Sequence, residues 1–240
     1  MLKRLLPLFA SLVLVAPAFG QDSWASRDHQ FASRQLNDFI VRFQHDLVVP
    51  VSRGVRSKAA ARPVPTGVAS TSTTTVPPRR TRLTQELAAA YPVEERRHAE
   101  QAFDSLLSGY VRIERQFGIV HYDVAGALAA FIAGAYMAYR NTAIPDPHFA
   151  VLVAQMRQIL DADPGFRNAV VEAKQEMYER LAILGMSMAQ AQAALQWQPD
   201  AALAASMRRT AEAYLIAFLR ADADLVQIGA RGLVIRWPIN

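Results

Sequence analysis

Glu95-Arg96-Arg97-His98 reads Glu-x-x-His. On a helix that spacing sets a carboxylate and an imidazole on one face, as in the di-iron carboxylate bundles. Those sites need a second such motif and two further inward Glu, and this chain has no second Glu-x-x-His. The local string "VEERRHAE" is a charged, solvent-facing stretch. A metal is not expected here, nor any cofactor. Glycan cleavage would need a Glu or an acid pair in a groove, with one acid's pKa raised by burial. Glu114 is the first candidate, since it borders an apolar seam between Ile113 and Phe117. Glu172, Glu176 and Glu179 are the second set, but they share one helical face with Lys174 and Arg180 beside them, the pattern of a solvated surface. The five histidines (His29, His45, His98, His121, His148) are scattered. No H-E-x-x-H, G-x-S-x-G or phosphate-binding glycine loop is present. The chain has no Cys, which removes thiol chemistry and disulfides together.

The elements that would position these residues are helical. "YDVAGALAAFIAGAYMAYRN", Tyr122 to Asn141, carries no charge between Asp123 and Arg140. Its 16 uncharged residues, Val124–Tyr139, fall between a core helix and a membrane span. Composition decides: only Val124, Leu128, Phe131 and Ile132 insert strongly, and the rest is mostly Ala, Gly and Tyr. Gly126, Ala130 and Gly134 share one face and invite close helix approach. We read a helix central to a bundle, with membrane insertion as the competing reading. Asp123 is its N-cap and Arg140 complements its dipole. The two ends lie about 27 Å apart, so they do not form one constellation.

Around it, Leu83 to about residue 90 predicts a short helix, and Pro92 marks the first turn of a long one. The latter bears the seam Ala99, Phe103, Leu106, Tyr110, Ile113, Phe117 and ends at Gly118. Pro145 and Pro147 precede a helix with Phe149, Leu152, Val153, Met156, Ile159 and Leu160, closed by an Asp163-Pro164-Gly165 turn. A helix over about 170–197 follows, with Met177, Leu181, Leu184, Met188, Ala191 and Leu195 inward. Pro199-Asp200 starts the last helix, with Leu203, Met207, Tyr214 and Phe218 inward. "LVQIGARGLVIRW" alternates weakly around two glycines, as a short strand or hairpin would. Tyr110, Tyr136, Tyr139, Tyr178 and Tyr214 fall at or beside apolar helical positions, which predicts core rings with hydroxyls at the rim. Met177, Met186 and Met188 are read as core filling around Gly185 rather than an adaptable groove. The fold expected is all-α: a bundle of five or six helices over 82–240, with a short extended tail.

Ahead of the bundle, "MLKRLLPLFASLVLVAPAFG" has the basic start, apolar run and small residues of a signal peptide over 1–20, cut between Gly20 and Gln21. Residues 21–49 carry a weaker helical pattern in Leu36, Phe39, Ile40, Phe43 and Leu47. Residues 50–81 are Pro-, Ser-, Thr- and Arg-rich, a composition that reads as a disordered linker. Charge divides at the same place: Gln21–Arg82 holds ten basic and four acidic residues, Leu83–Asn240 14 basic and 17 acidic. A basic front segment suits anionic headgroups or envelope polymers, or simply a solvated linker. No nucleic-acid-binding signature appears.

"FGIVHYDVAGALAAFIAGAYMAYRN", "EAKQEMYERLAILGM" and the closing "GLVIRW" resemble an uncharacterised family of bacterial exported proteins, a domain of unknown function. The resemblance covers about residues 85–235. It implies a single helical module behind a signal peptide and a variable linker, and it carries no activity, cofactor or site residue. The expected protein is periplasmic or secreted, without a stable membrane span once the signal is removed. It is expected to bind another envelope protein rather than to catalyse. An envelope glycan hydrolase, and a membrane-active protein inserting the 124–139 helix, are the competing readings. Nothing in the sequence fixes its oligomeric state.

Overall fold

The computed structural model describes residues 73–79 and 81–236. The signal-peptide, 21–49 and front-linker readings lie outside the described residues. Seven α-helices and a small hairpin make up the rest: α1 (Leu83–Ala88), α2 (Arg96–Gln116), α3 (Val124–Arg140), α4 (Asp146–Ala162), α5 (Pro164–Asn168), α6 (Val171–Trp197), α7 (Ala201–Leu219), β1 (Val226–Gly229) and β2 (Gly232–Ile235). The all-α reading holds.

Local chemistry sets the boundaries. Asp123, Asp163 and Asp200 cap α3, α5 and α7 by accepting from the N–H of Ala125, Phe166 and Leu203, satisfying donors that no turn precedes. Asn141 and Arg220 end α3 and α7 in left-handed geometry. Two boundaries differ from the sequence reading. The Pro92 carbonyl accepts from Glu95 and Arg96 N–H in a turn, so α2 begins only at Arg96. Asp163-Pro164-Gly165 is not a bare turn: Asp163 caps and Pro164 starts the five-residue α5, where a missing N–H costs nothing.

Helix α3 is the axis. Every residue from Val124 to Tyr139 except Tyr136 is buried, and α6, α7 and α4 pack around it. The small residues permit this. A methyl on Gly134 would fall 2.5 Å from the Gly185 carbonyl oxygen, and one on Gly185 2.6 Å from the Ala130 carbonyl carbon. Backbones of α3 and α6 therefore touch directly. Phe131 fills the opposite side, with ring contacts to Tyr214 at 5.9 Å and Phe218 at 5.6 Å. Among the described residues no helix is long and apolar enough to cross a membrane.

The hairpin pairs Val226 with Ile235 through Gly229 with Gly232. The amide of Gln155 on α4 clips it to the bundle, donating to the Leu233 carbonyl (2.9 Å) and accepting from the Leu233 N–H (2.7 Å). Arg140 holds the chain at the start of β1, donating to the Asp224 carbonyl at 2.7 Å and the Val226 carbonyl at 3.5 Å. Its role is thus to anchor the hairpin as well as to sit at a helix C-terminus.

The last part of the expected linker is not free of the bundle. Residues 73–79, here termed the strap, lie against the loop between α2 and α3. Val76 N–H donates to the Tyr122 carbonyl (3.0 Å) and Val124 N–H to the Thr74 carbonyl (2.9 Å), an isolated antiparallel bridge between Thr75 and Asp123. Thr74 and Val76 are buried. Arg79 pairs with Glu172 at 2.8 Å, and the Thr81 hydroxyl reaches Glu179. Composition predicts poor burial for the segment as a whole, but alternate side chains of a strand suffice to bury two residues.

Candidate functional site

The strap lies against a cluster of buried polar groups at the start of α3. Helix α2 ends at Gln116, and Gly118, with a φ of 61°, reverses the chain two residues later. The loop then folds back so that His121 and Tyr122 reach Glu114, seven and eight residues earlier. Glu114 is fully buried, with 0 % of its side chain exposed. Its Oε2 faces His121 Nδ1 at 2.8 Å, and its Oε1 accepts from the Tyr122 N–H (3.2 Å) and the Tyr178 hydroxyl (2.9 Å) of α6. The His121 side chain is half exposed, at 48 %. Tyr122 adopts φ 63°, a left-handed conformation uncommon for a bulky residue. Its N–H bond to Glu114 and its carbonyl bond to the strap fix it there.

Beside this group, Asp123 shares its carboxylate among the Thr74 hydroxyl (2.6 Å), the Ala125 N–H (3.1 Å) and Arg157 of α4. Asp123 is therefore an N-cap that also ties strap, loop and α4 together. Tyr110 stacks edge-on against Tyr178 at 5.7 Å. Its hydroxyl is buried without a hydrogen-bond partner among the described residues and lies 2.7 Å from where a Gly126 methyl would sit.

The electrostatics follow from the burial. Desolvation raises the Glu114 carboxyl above its usual range, while bonds from His121 and Tyr178, the His121 charge and the Tyr122 N–H oppose that rise. Burial, and then the Glu114 charge, push the Tyr110 and Tyr178 phenols up. Both phenols remain protonated, so Tyr178 acts as a donor to Glu114. Chemically, the cluster is a buried acid with every oxygen engaged, reaching solvent only through a half-exposed imidazole.

The other residues singled out in the sequence do not join it. Glu95 and His98 stand on the exposed start of α2; among the described residues no three His, Asp or Glu side chains converge as a metal site. His148 is half-buried on α4, and His29 and His45 lie outside the described residues. Glu172 and Glu176 are exposed and pair with Arg79 and Arg180. Glu179 departs from the solvated face expected of it: it is buried, accepting from Gln175 Nε2 at 3.1 Å and bonded to Thr81. The chain just ahead of α1 covers that turn of α6, which helical spacing does not reveal. Lys174 is also buried, its ammonium donating to the Arg167 carbonyl (3.2 Å) over the Phe166 ring, and burial lowers its pKa. Reading the sequence picked out Glu114 but missed its partners. His121 and Tyr122 had a local signal, since a helix ended by Gly118 must turn back on itself. Tyr178, 64 residues away, and the strap had none.

A family model described as "Family of unknown function (DUF6683)" matches residues 10–236. The chain belongs to that family, and the match takes in the segment ahead of the bundle as well as the bundle itself. No curated protein and no solved structure matches it.

Proposed function

We propose that this member of a family of unknown function is an exported helical module of the cell envelope that works by binding another envelope protein, not by catalysis. The observation that carries this reading is the state of Glu114. A glycan hydrolase needs a carboxyl that presents its proton to a substrate. Glu114, the acid that sequence reasoning singles out, presents nothing: its side chain is fully buried and both oxygens are bonded inside the fold. Asp123 and Glu179 are spent in the same way. Meanwhile Val93, Val170 and Trp197 are exposed, Trp197 at 70 %, and an exposed Trp suits an interface anchor. The signal-like residues 1–20 support export, and the interior place of α3 argues against its insertion into lipid.

The test is fractionation of the native host, with intact mass and photo-crosslinking from position 197. The reading expects a soluble envelope species beginning at Gln21 and a discrete crosslink to another envelope protein. A species that resists a carbonate wash would instead favour insertion of α3. Cleavage of an envelope glycan panel, abolished by Glu114→Gln, would overturn the proposal in favour of a hydrolase.

A further inference from the structure

The edge under the strap is fixed by contacts that do not involve the strap. Tyr122 is held through its N–H by Glu114 and through its ring by Tyr178 at 5.4 Å. Asp123 keeps the Ala125 N–H on Oδ1 and Arg157 on Oδ2. Val124 is the first residue of α3, so its N–H has no acceptor within the helix. These residues leave over a carbonyl at 122, an N–H at 124 and one more acceptor position on Asp123 Oδ1. That is the pattern of a strand edge, and one extended segment satisfies it.

The strap meets each of these points. Val124 N–H donates to the Thr74 carbonyl and Val76 N–H to the Tyr122 carbonyl. The Thr74 hydroxyl donates to Asp123 Oδ1 (2.6 Å), and the Val76 side chain joins the core. The rest of the strap is lightly held. Thr73, Thr75 and residues 77–79 are exposed, and Pro77 and Pro78 have no N–H with which to extend the pairing. Thr73 reaches Asp161 at the surface, and the Arg79–Glu172 pair stands in solvent. A contact resting on two buried side chains opens locally at a fraction of the global cost.

We propose that residues 122–124 form a strand-acceptor site, which the strap fills in cis as a displaceable ligand and which takes an extended segment of a partner in its place. The strap itself defines the chemistry of that segment: a hydroxyl residue, any residue, then a β-branched apolar residue, paired antiparallel to the loop. The tethered strap competes at an effective concentration in the millimolar range, on the order of that for a short linker, and so screens out weaker segments. The site is distinct from the Trp197 surface, because Trp197 lies about 28 Å along α6 from Tyr178, against which Tyr122 packs. Crosslinking from position 197 can therefore fail or succeed without deciding this proposal.

Two measurements test it. Amide hydrogen exchange on the full wild-type chain, corrected for intrinsic rates, asks whether the edge outlives the strap. Val76 N–H should exchange at least about tenfold faster than Tyr122 N–H and Ala125 N–H, whose acceptors are Glu114 and Asp123. Equal rates would mean that strap and edge open together, and would overturn the proposal. Fluorescence anisotropy then asks whether the edge binds in trans, with a labelled peptide of residues 71–79 as the probe. The full chain carrying Val76→Asp, which lifts its own strap, should bind the peptide at least about tenfold more tightly than the wild type. Thr74→Val, a milder change that removes only the bond to Asp123, should gain at least about threefold. The peptide carrying Val76→Asp should bind none of them. Equal binding by the wild type and both variants overturns the proposal. So does a dimer held by exchanged straps in sedimentation, which would make a second copy the occupant.

Discussion

The crossing of α3 with α6 and the loop between α2 and α3 lie on one helix and hold it by opposite means. At the crossing, Ala130, Gly134 and Gly185 bring two backbones together with no side chain between them, and Phe131 fills the far side against Tyr214 and Phe218. At the loop, residues 117–123, the chain is held by a buried acid, a capping aspartate and two backbone bonds to a strap. Shape holds the first region; hydrogen bonds to charge hold the second. A dry contact changes little with pH and tolerates no added volume. A buried acid tolerates an isostere but answers to protons.

The comparison breaks most severely at Phe131. Phe131→Ala leaves a cavity between α3 and α7, and a loss of about 3–5 kcal/mol is expected in urea unfolding. If shape alone holds this region, the loss is the same at neutral and acid pH; a loss that changed with pH would place a titrating group where none is seen. Gly185→Ala probes the same contact by adding volume. The new methyl would meet Ala130 and Phe131 backbone atoms at 2.6–2.7 Å, and backbone cannot swing aside as a side chain can. Overpacking outweighs the gain in helix propensity, for a net loss of about 1–3 kcal/mol. A stabilised Gly185→Ala would mean that α3 and α6 stand further apart than described.

The loop sharpens the contrast through its pH dependence. Glu114 has a folded-state pKa raised above the ordinary 4.5. Its favourable contribution is therefore complete below that value and is lost as pH rises through the raised one. Glu114→Gln, which keeps the bonds and removes the charge, should gain on the wild type as pH rises toward neutral and show a flatter stability profile. Glu114→Ala removes the acceptor of Tyr122 N–H and Tyr178 O–H and should lose about 1–3 kcal/mol at every pH. Equal pH profiles for wild type and Glu114→Gln would show that the acid is solvated and that the loop is not the pH-sensitive half of the molecule.

The two regions also differ in how far the sequence exposes them. The crossing is legible because both of its causes are periodic. Gly126, Ala130 and Gly134 recur at one helical turn, and an uncharged run too poor in Leu and Ile for lipid belongs inside protein. Helix starts at Asp123 and Asp200 are legible for a similar local reason, a capping aspartate before an apolar run. The loop is not legible. Glu114 borders the apolar seam at a visible place, but what decides its state is Tyr178, on a helix packed later in the chain. Thr74 and Val76 sit in a segment whose composition reads as linker, because a two-residue strand contact leaves no trace in an average over thirty residues. Glu179 fails in the same way: its spacing matches that of Glu172 and Glu176, and only the chain passing over it makes it interior.

The smallest expected effect concerns how the strap is held. Arg79 and Glu172 form its outermost contact, and both side chains are largely exposed, at 64 % and 66 %. An exposed pair gains little Coulomb energy and loses side-chain freedom, so Arg79→Ala should cost no more than about 0.5 kcal/mol and less at high salt. Thr74 and Val76, by contrast, are buried and carry the strap's bonds to the loop. If the strap is seated from its Thr74 end, Arg79→Ala leaves the amide-exchange protection of Val76 unchanged. A large drop in that protection would shift the anchor to the Arg79 end. The loop would then follow the strap, which would be held on α6, where Glu172 and Glu179 meet the incoming chain.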